Sequence, residues 1–221
     1  MVKSPKRKPK EDSKQKRLRA KKIVQALEDN YPEATCSLRF QNPFELLVAT
    51  MLSAQCTDER VNKVTPALFK KYPTSQKMAK AKQQDVEALI QSTGFFRNKA
   101  RNLIACSQQL VRDHKGQVPS TMEELHALAG VGRKTANVVL GNAFGTPGMV
   151  VDTHVTRISQ RLGLSKGGSA EHIEAELEQV IEKENWVQFS HLLIEHGRKI
   201  CKARKALCEE CFLNTLCPQL L

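Results

Sequence analysis

Four of the seven cysteines in this 221-residue chain lie in one short stretch, CKARKALCEECFLNTLC, at positions Cys201, Cys208, Cys211 and Cys217. Four thiolates can hold a zinc ion or an iron–sulfur cluster. Zinc sites of four cysteines typically consist of two C-x2-C halves, whereas the spacing here is C-x6-C-x2-C-x5-C. Such thiols could also form a disulfide staple or a thiol active site. However, the N-terminus has no apolar signal-peptide core, so we do not expect secretion. Because the cytosol keeps thiols reduced, disulfides are not expected either. We therefore expect these cysteines to hold a metal, and their spacing leaves zinc and iron–sulfur open.

A second candidate for chemistry is Lys134, which follows the turn Gly130-Val131-Gly132 in LHALAGVGRKTANVVL. The pattern predicts a helix, a tight turn and a second helix, and the two glycines let the backbone come close to a partner. The free N–H groups that open the second helix, with Arg133 beside them, suit a phosphate oxygen. Such a contact positions a nucleic acid without reading its sequence. As a bare pattern, the same turn is equally typical of a packing joint between helices.

Lys134 in the first turn of a helix lies beside the positive end of the helix dipole, which favours the neutral amine that a nucleophile needs. Asp152 follows 18 residues later, after a loop rich in Gly and Pro. A carboxylate folded back beside the lysine could accept a proton or stabilise a cationic sugar, as carboxylates do at glycosidic bonds. Taken alone, the lysine is typical of a solvated surface charge and the aspartate of a helix cap.

The elements that must position these residues are predicted to be helices throughout. Apolar residues recur at helical spacing after Asn42 and Pro43, an N-cap and first-position pair, and again from Trp186 towards Cys201. Ser120 and Glu123 predict a capping box for a further helix. No convincing alternating strand pattern appears, so the sequence predicts an all-α fold.

The net charge of +12 is concentrated near the N-terminus, where residues 1–22 hold 11 Lys and Arg against 2 acidic residues. A Lys-rich run with few apolar residues cannot bury enough surface to fold, so we expect a disordered basic arm over residues 1–22. Such an arm attracts polyanions by counterion release, or serves only as a solubilising tail. Nothing approaches the run of about 18 apolar residues that a spanning helix needs, so we expect no membrane partner.

Taken together, the motifs resemble the endonuclease III branch of the helix-hairpin-helix DNA glycosylases. The likeness covers about residues 22–217. Besides the cysteine spacing, it rests on four segments: NPFELLVATMLSAQCTD, TGFFRNKARNL, LAGVGRKTANVVLGNAFG and VDTHVTRISQRLGL. One departure is Ala129, which stands where the family usually has proline, although both glycines of the turn are kept.

The resemblance implies a bifunctional base excision repair enzyme, which removes oxidised pyrimidines from duplex DNA and then cleaves the strand as an AP lyase. Lys134 matches the catalytic lysine, whose amine attacks the sugar C1′ and forms a Schiff base that decays by β-elimination. Asp152 matches the carboxylate that assists this attack and shuttles protons. The resemblance also implies that the cofactor is a [4Fe–4S] cluster with these ligands: Cys201, Cys208, Cys211 and Cys217.

Because the target base lies inside a duplex, such an enzyme must flip it out and fill the gap. Gln55 matches the family's residue that enters the gap, where its amide can bond to the orphaned base. Phe95 falls where the family places an apolar wedge, and core packing beside Phe96 is an equally weighted interpretation of it. The cluster would hold a basic loop on the DNA backbone, and its cationic residues are Lys202, Arg204 and Lys205.

The implied architecture is two helical lobes with a DNA cleft between them. We expect the hairpin in a lobe of residues 36–146, and the cluster loop in a second lobe of residues 23–35 plus 147–221. The expected partner is double-stranded DNA that contains damaged pyrimidines or abasic sites, bound by a monomer. The compact length suggests the cytoplasm of a bacterium, at the nucleoid, while the basic arm leaves a nuclear or organellar location open. A monofunctional glycosylase for another lesion and a non-catalytic DNA-binding module are the competing hypotheses.

Overall fold

The structure is a computed structural model that describes residues 11–219. This range contains α-helices and three short 3-10 helices but no strand, which confirms the all-α prediction. No helix in it is long and apolar enough to cross a membrane. The helices are α1 Ser13–Asn30, α2 Pro43–Leu52, α3 Asp58–Lys71, α4 Ser75–Ala79, α5 Gln83–Ile90, α6 Phe96–Asp113, α7 Met122–His126, α8 Arg133–Phe144, α9 Thr153–Arg161, α10 Ala170–Glu178 and α11 Trp186–Lys199.

The chain divides into two compact units. The first, which we call the hairpin unit, is Thr35–Val150 and contains α2 to α8. Its core is built around α2, whose residues from Phe44 to Leu52 are all buried and which packs against α3, α6 and α8. A helix that is buried on all sides belongs in the middle of a domain, and α2 packs directly against α8, the second helix of the hairpin.

The second, which we call the cysteine unit, consists of the described residues 11–34 and 151–219. In it α11 packs against both α1 and α9, and α10 packs against α9. The helix predicted from Trp186 towards Cys201 is α11, which ends at Lys199. Its buried apolar residues include Phe189 and Leu193, so the helix anchors the cysteine segment that follows.

Two helix starts test the capping predictions. At α2 the prediction is confirmed, because the Asn42 side chain accepts the Glu45 N–H at 3.0 Å. At α7 the predicted capping box of Ser120 with Glu123 is wrong by one residue. Thr121 is the N-cap, and its hydroxyl accepts the Glu124 N–H at 3.3 Å and donates to the Glu124 carboxylate at 2.6 Å. The segment STMEE offers both registers, so the pattern alone could not choose between them.

The disordered arm predicted for residues 1–22 is wrong over residues 13–22, which lie in α1; residues 1–10 lie outside the described part of the chain. A capping box begins α1: the Asp12 carboxylate accepts the Gln15 N–H at 2.7 Å, and the Gln15 side chain accepts the Asp12 N–H at 3.2 Å. The prediction rested on the number of charged residues and missed that they lie on an amphipathic helix. Its buried face consists of Ala20, Ile23, Val24 and Leu27, while Leu18 is 59% exposed.

Cationic side chains of α1 also contribute contacts that a solvated arm would lack. Arg19 donates to the Leu162 carbonyl at 2.6 Å and forms an ion pair with Glu11 at 2.8 Å. Arg17 donates to the Gln179 carbonyl at 2.8 Å. Because arginine can bury its aliphatic stem while its head group finds acceptors, these residues attach α1 to the cysteine unit rather than repelling it.

Candidate functional site

The hairpin that precedes Lys134 depends on glycine at one position and not at the other. Gly130 has φ +73°, and a Cβ there would lie 2.9 Å from side-chain atoms of Asn102, so the turn requires glycine for both reasons. Gly132 has φ −91°, and a Cβ there would meet nothing within 4 Å. The glycine at 132 is therefore free of any steric demand from its own fold, and it leaves room for an external partner.

Beyond the turn, α8 begins with Gly132 as its N-cap, and no side chain caps it. The opening N–H groups of this helix have no acceptor within α8. Lys134 lies exposed in the first turn of α8, and Arg133 is exposed next to it. The N-terminus of a 12-residue helix, flanked by two cations, is suited to an anion such as a phosphate group.

Ala129 occupies the position at which the sequence departs from the family, and its backbone N–H is in use. This N–H donates to the Gln109 side-chain oxygen at 2.6 Å, and the amide nitrogen of Gln109 lies 3.4 Å from the Ala127 carbonyl oxygen. A proline at 129 could not make the first bond because it has no N–H. Gln109, on α6, thus fixes the entry to the hairpin by two hydrogen bonds where a proline ring would fix φ.

Asp152 is the N-cap of α9, so the interpretation of this residue as a helix cap is confirmed. One carboxylate oxygen, Oδ1, accepts the N–H groups of His154 and Val155, both at 2.8 Å. The side chain is half-buried, and the described residues supply no partner for its other oxygen, Oδ2. A cap that uses only one oxygen orients the carboxylate rigidly and leaves the second oxygen available for proton transfer.

Gln55 and Phe95 lie on two turns of the hairpin unit, after α2 and before α6. Both are exposed, and both have left-handed backbones, with φ +53° at Gln55 and +48° at Phe95. A non-glycine residue in this conformation costs about 1–3 kcal/mol, and such strain is concentrated at functional sites. Phe95 is 63% exposed, so the interpretation as core packing is wrong for it, whereas Phe96 packs partly buried against the core.

Sequence reasoning missed Lys99, a residue of α6 whose side chain bonds to the backbone next to both turns. It is 8% exposed, and its ammonium donates to the carbonyl oxygens of Leu52 and Thr93, both at 2.8 Å. The available signal was its position on α6 directly before the buried Ala100, where an apolar residue would be expected. A buried lysine needs acceptors, and here two backbone carbonyls provide them.

The four cysteines predicted as ligands line one cavity of about 110 Å³ in the cysteine unit. No three His, Cys, Asp or Glu side chains among residues 11–219 are grouped closely enough to hold a metal ion, and these four cysteines are included in that statement. The two observations agree if the thiols surround a space wider than one ion, since thiolates on a single zinc ion would all lie about 2.3 Å from it. Burial raises the pKa of the Cys211 and Cys217 thiols, and neighbouring cysteine thiolates raise it further.

Polar side chains support the wall of this cavity. Arg161 lies with Nη1 3.4 Å from the Cys201 sulfur, and it donates to the carbonyls of Lys202 at 2.8 Å and Ala203 at 3.1 Å. His196 lies with Nε2 3.6 Å from the Cys211 sulfur, and burial lowers the pKa of this histidine to about 4. N–H groups directed at sulfur are typical of the surroundings of iron–sulfur clusters.

The basic loop lies between the first two cysteines, and Arg161 holds its backbone. Its three cationic side chains all face solvent, and they are Lys202, Arg204 and Lys205. A rigid backbone with free cationic side chains is a suitable arrangement for contacts with phosphates. The loop, the cysteines and Asp152 thus belong to the cysteine unit, while the hairpin, Lys134, Gln55 and Phe95 belong to the hairpin unit.

Known proteins similar to this chain define the class of protein to which it belongs. Residues 48–183 match the family described as HhH-GPD superfamily base excision DNA repair protein. The chain is 55% identical over 204 residues to endonuclease III of Synechocystis, which covers 92% of this chain and 93% of that protein. It is 46% identical over 192 residues to endonuclease III of Bacillus subtilis, with coverage of 86% and 88%.

A solved structure agrees with these relatives. Endonuclease III, trapped as a covalent intermediate with DNA in an estranged-adenine complex, matches with a TM-score of 0.87 at 43% identity. The match covers 92% of this chain and 96% of that one. The chain belongs to the endonuclease III family of the HhH-GPD superfamily.

Proposed function

We propose that this chain is a base excision repair enzyme, a DNA glycosylase with an associated AP lyase activity that acts on oxidised pyrimidines in duplex DNA. The observation on which the proposal rests is Lys134. It is an exposed lysine in the first turn of α8, directly after the hairpin, in a chain of this family. A relative of 43% identity has been trapped as a covalent intermediate with DNA, as a nucleophilic amine would allow.

In the reaction we propose, the neutral amine of Lys134 attacks C1′ of the damaged nucleotide. The bond from C1′ to the base breaks, and the base leaves with the electron pair and takes up a proton. The C1′–O4′ bond then opens to give a protonated Schiff base between the lysine nitrogen and C1′. Loss of a C2′ proton expels the 3′ phosphate by β-elimination. Asp152 moves protons in these steps through Oδ2, because Oδ1 is occupied by the helix cap.

Backbone N–H groups of the protein bind the DNA phosphates, and two side chains insert into the base stack. The N–H groups at the start of α8 bind a phosphate, and Gly132 leaves space for its approach. Gln55 enters the gap left by the flipped nucleotide and bonds to the orphaned base, and Phe95 stacks as a wedge. Both are exposed on turns of the same unit as the hairpin, which supports these roles.

We also propose that the four cysteines hold a [4Fe–4S] cluster. The donor set fits, because four thiols surround one cavity and their spacing differs from the two C-x2-C halves that are usual for zinc. When bound, the cluster supplies a rigid cross-link. Arg161 then holds the basic loop, so that its three cationic side chains meet the DNA backbone.

Metal analysis tests the cluster. Protein prepared anaerobically should be brown and contain about four iron and four sulfide ions per chain. Replacing Cys208 with serine should lower both contents, since it removes one ligand, while Cys36→Ser should leave them unchanged because Cys36 lies in the hairpin unit. One zinc ion per chain, with no iron, would contradict the cluster.

A panel of duplexes tests the function. We expect base excision and strand cleavage at thymine glycol and at an oxidised cytosine, strand cleavage at an abasic site, and no reaction at mispaired adenine. Free base without strand cleavage would show a monofunctional glycosylase. Tight binding with no reaction on any duplex would show a non-catalytic DNA-binding module. Location in the bacterial cytoplasm, at the nucleoid, and the monomeric state stay predictions.

A further inference from the structure

Two turns of the hairpin unit, each carrying an exposed residue with a left-handed backbone, are linked by one buried amine. The Lys99 Nζ donates to the carbonyl of Leu52, three residues before Gln55, at 2.8 Å. It donates equally to the carbonyl of Thr93, two residues before Phe95, at 2.8 Å. The backbone N–H of Lys99 also donates to the Phe95 carbonyl at 3.0 Å. One residue on α6 thus contacts the backbone of both turns.

We propose that Lys99 is a positioning residue for base extrusion: it fixes the Gln55 turn to the Phe95 turn, so that the two side chains enter the duplex as one rigid unit. The inference rests on the proposed function and names a further residue for it. Lys99 itself does not touch DNA, since its side chain is buried and its Nζ donates to two backbone carbonyls of the protein.

Both acceptors of Lys99 lie at helix ends. Leu52 is the last residue of α2, and Thr93 is the last residue of the 3-10 helix Gln91–Thr93. Carbonyls at the end of a helix have no partner within it, and a cation is favourable there. Lys99 therefore provides a donor to two helix ends at once, at the points where the two turns begin.

The bond pair does not depend on the charge of the lysine. Burial lowers the pKa of the Lys99 amine, and the electrostatic effect of Cys56 opposes that shift. A neutral amine still has two N–H groups, enough for the two carbonyls of Leu52 and Thr93. The tie between the turns thus persists in either protonation state.

The rigid link between the two turns matters because Gln55 and Phe95 both have a left-handed backbone, which costs free energy. Left-handed residues persist only when the surrounding structure fixes them. If the turns could move independently, Gln55 and Phe95 would each pay an ordering cost on entering the duplex, in addition to the cost of unstacking the target base. A displacement of about 1 Å at residues remote from the chemistry can cost about 100-fold in rate.

The test replaces Lys99 with methionine, which is of similar length but has no donor. We expect single-turnover excision of thymine glycol from a duplex to fall by about tenfold or more. Strand cleavage of a single-stranded oligonucleotide with an abasic site should fall by less than about threefold, because no base pair has to be opened there. Lys77→Met, which removes an exposed lysine from α4 of the same unit, is the matched control and should change neither rate.

A double-mutant cycle separates positioning from a purely structural role. In a chain that already carries Gln55→Ala and Phe95→Ala, Lys99→Met should cause less than about a twofold further loss on the duplex, because the probes that it positions are gone. Thermal unfolding of each variant gives the stability change separately. An equal loss on both substrates, a full loss in the double-alanine background, or no loss at all would overturn the inference.

The same measurements keep the inference and the proposed function apart. If the wild-type chain does not cleave the single-stranded abasic oligonucleotide and forms no Schiff base with it, the proposed function fails. If the wild type does both, and Lys99→Met excises from the duplex as fast as the wild type, only the positioning role of Lys99 fails.

Discussion

Replacing Lys134 with glutamine is expected to abolish the covalent adduct that borohydride traps between this protein and DNA with an abasic site. The amide of glutamine is not a nucleophile, so no Schiff base can form for the borohydride to reduce. Excision of thymine glycol should fall on the order of 10³-fold or more, as removal of a nucleophile does in other enzymes. Because Lys134 is exposed, the free energy of unfolding should change by no more than about 0.5 kcal/mol. Gel electrophoresis of the adduct and single-turnover kinetics measure the two effects.

Arg133→Gln is the matched control, because it removes the same charge from the adjacent residue at the start of α8. It should preserve trapping and weaken DNA binding equally for damaged and undamaged duplexes, with the salt dependence reduced by about one phosphate contact. An adduct that persists in Lys134→Gln would assign the nucleophile to another amine. Equal loss of trapping in both variants would show that the charge at this helix, rather than the amine of Lys134, is what matters.

The hairpin could be predicted from the sequence because its signals are local. Two glycines, a cationic pair and an apolar helix face lie within one short segment, and the structure places the turn and the start of α8 where that segment predicts them. The requirement at Gly130 comes from Asn102 on α6, a contact distant in sequence that the pattern does not contain. The glycines were visible in the sequence, but the difference between their roles was not.

The N-terminal helix shows how a local average can mislead. Residues 13–22 are strongly basic, so their composition predicts disorder. That prediction overlooks the buried apolar stripe of α1, which consists of Ala20, Ile23, Val24 and Leu27. The contacts that hold α1 include Arg19 with the carbonyl of Leu162, 143 residues away. No window of sequence contains such a pair, so the charge pattern predicts a solvated arm where part of the segment packs.

Phe95 and Phe96 illustrate a choice that only the fold makes. The two rings are adjacent in sequence and equally apolar, so composition cannot say which one packs against the core. The left-handed backbones of Gly94 and Phe95 turn the chain just before α6, which exposes Phe95 and directs Phe96 towards the core. Lys99 and Gln109 were missed for a related reason, since their hydrogen-bond partners lie outside α6.

Asp152 is the residue for which a structural and a catalytic role must be separated, and two substitutions do so. Asp152→Asn keeps an oxygen that can accept the N–H groups of His154 and Val155, so the cap of α9 should survive and the free energy of unfolding should change by less than about 0.5 kcal/mol. It removes the carboxylate, so excision of thymine glycol should fall about 10²- to 10⁴-fold. Asp152→Ala should lose the same activity and, in addition, about 1 kcal/mol of stability.

The comparison of the two variants decides the role of the carboxylate, because a residue that only caps a helix would lose activity in step with stability. Asp12→Asn is a matched control, since Asp12 caps α1 in the same way through the Gln15 N–H and has no proposed part in the reaction. It should leave both quantities nearly unchanged. The Asp152→Asn protein should still be trapped slowly by borohydride at an abasic site, because the Lys134 amine is intact. Full activity in Asp152→Asn, with loss only in Asp152→Ala, would reduce Asp152 to a helix cap and assign the proton transfer to another group.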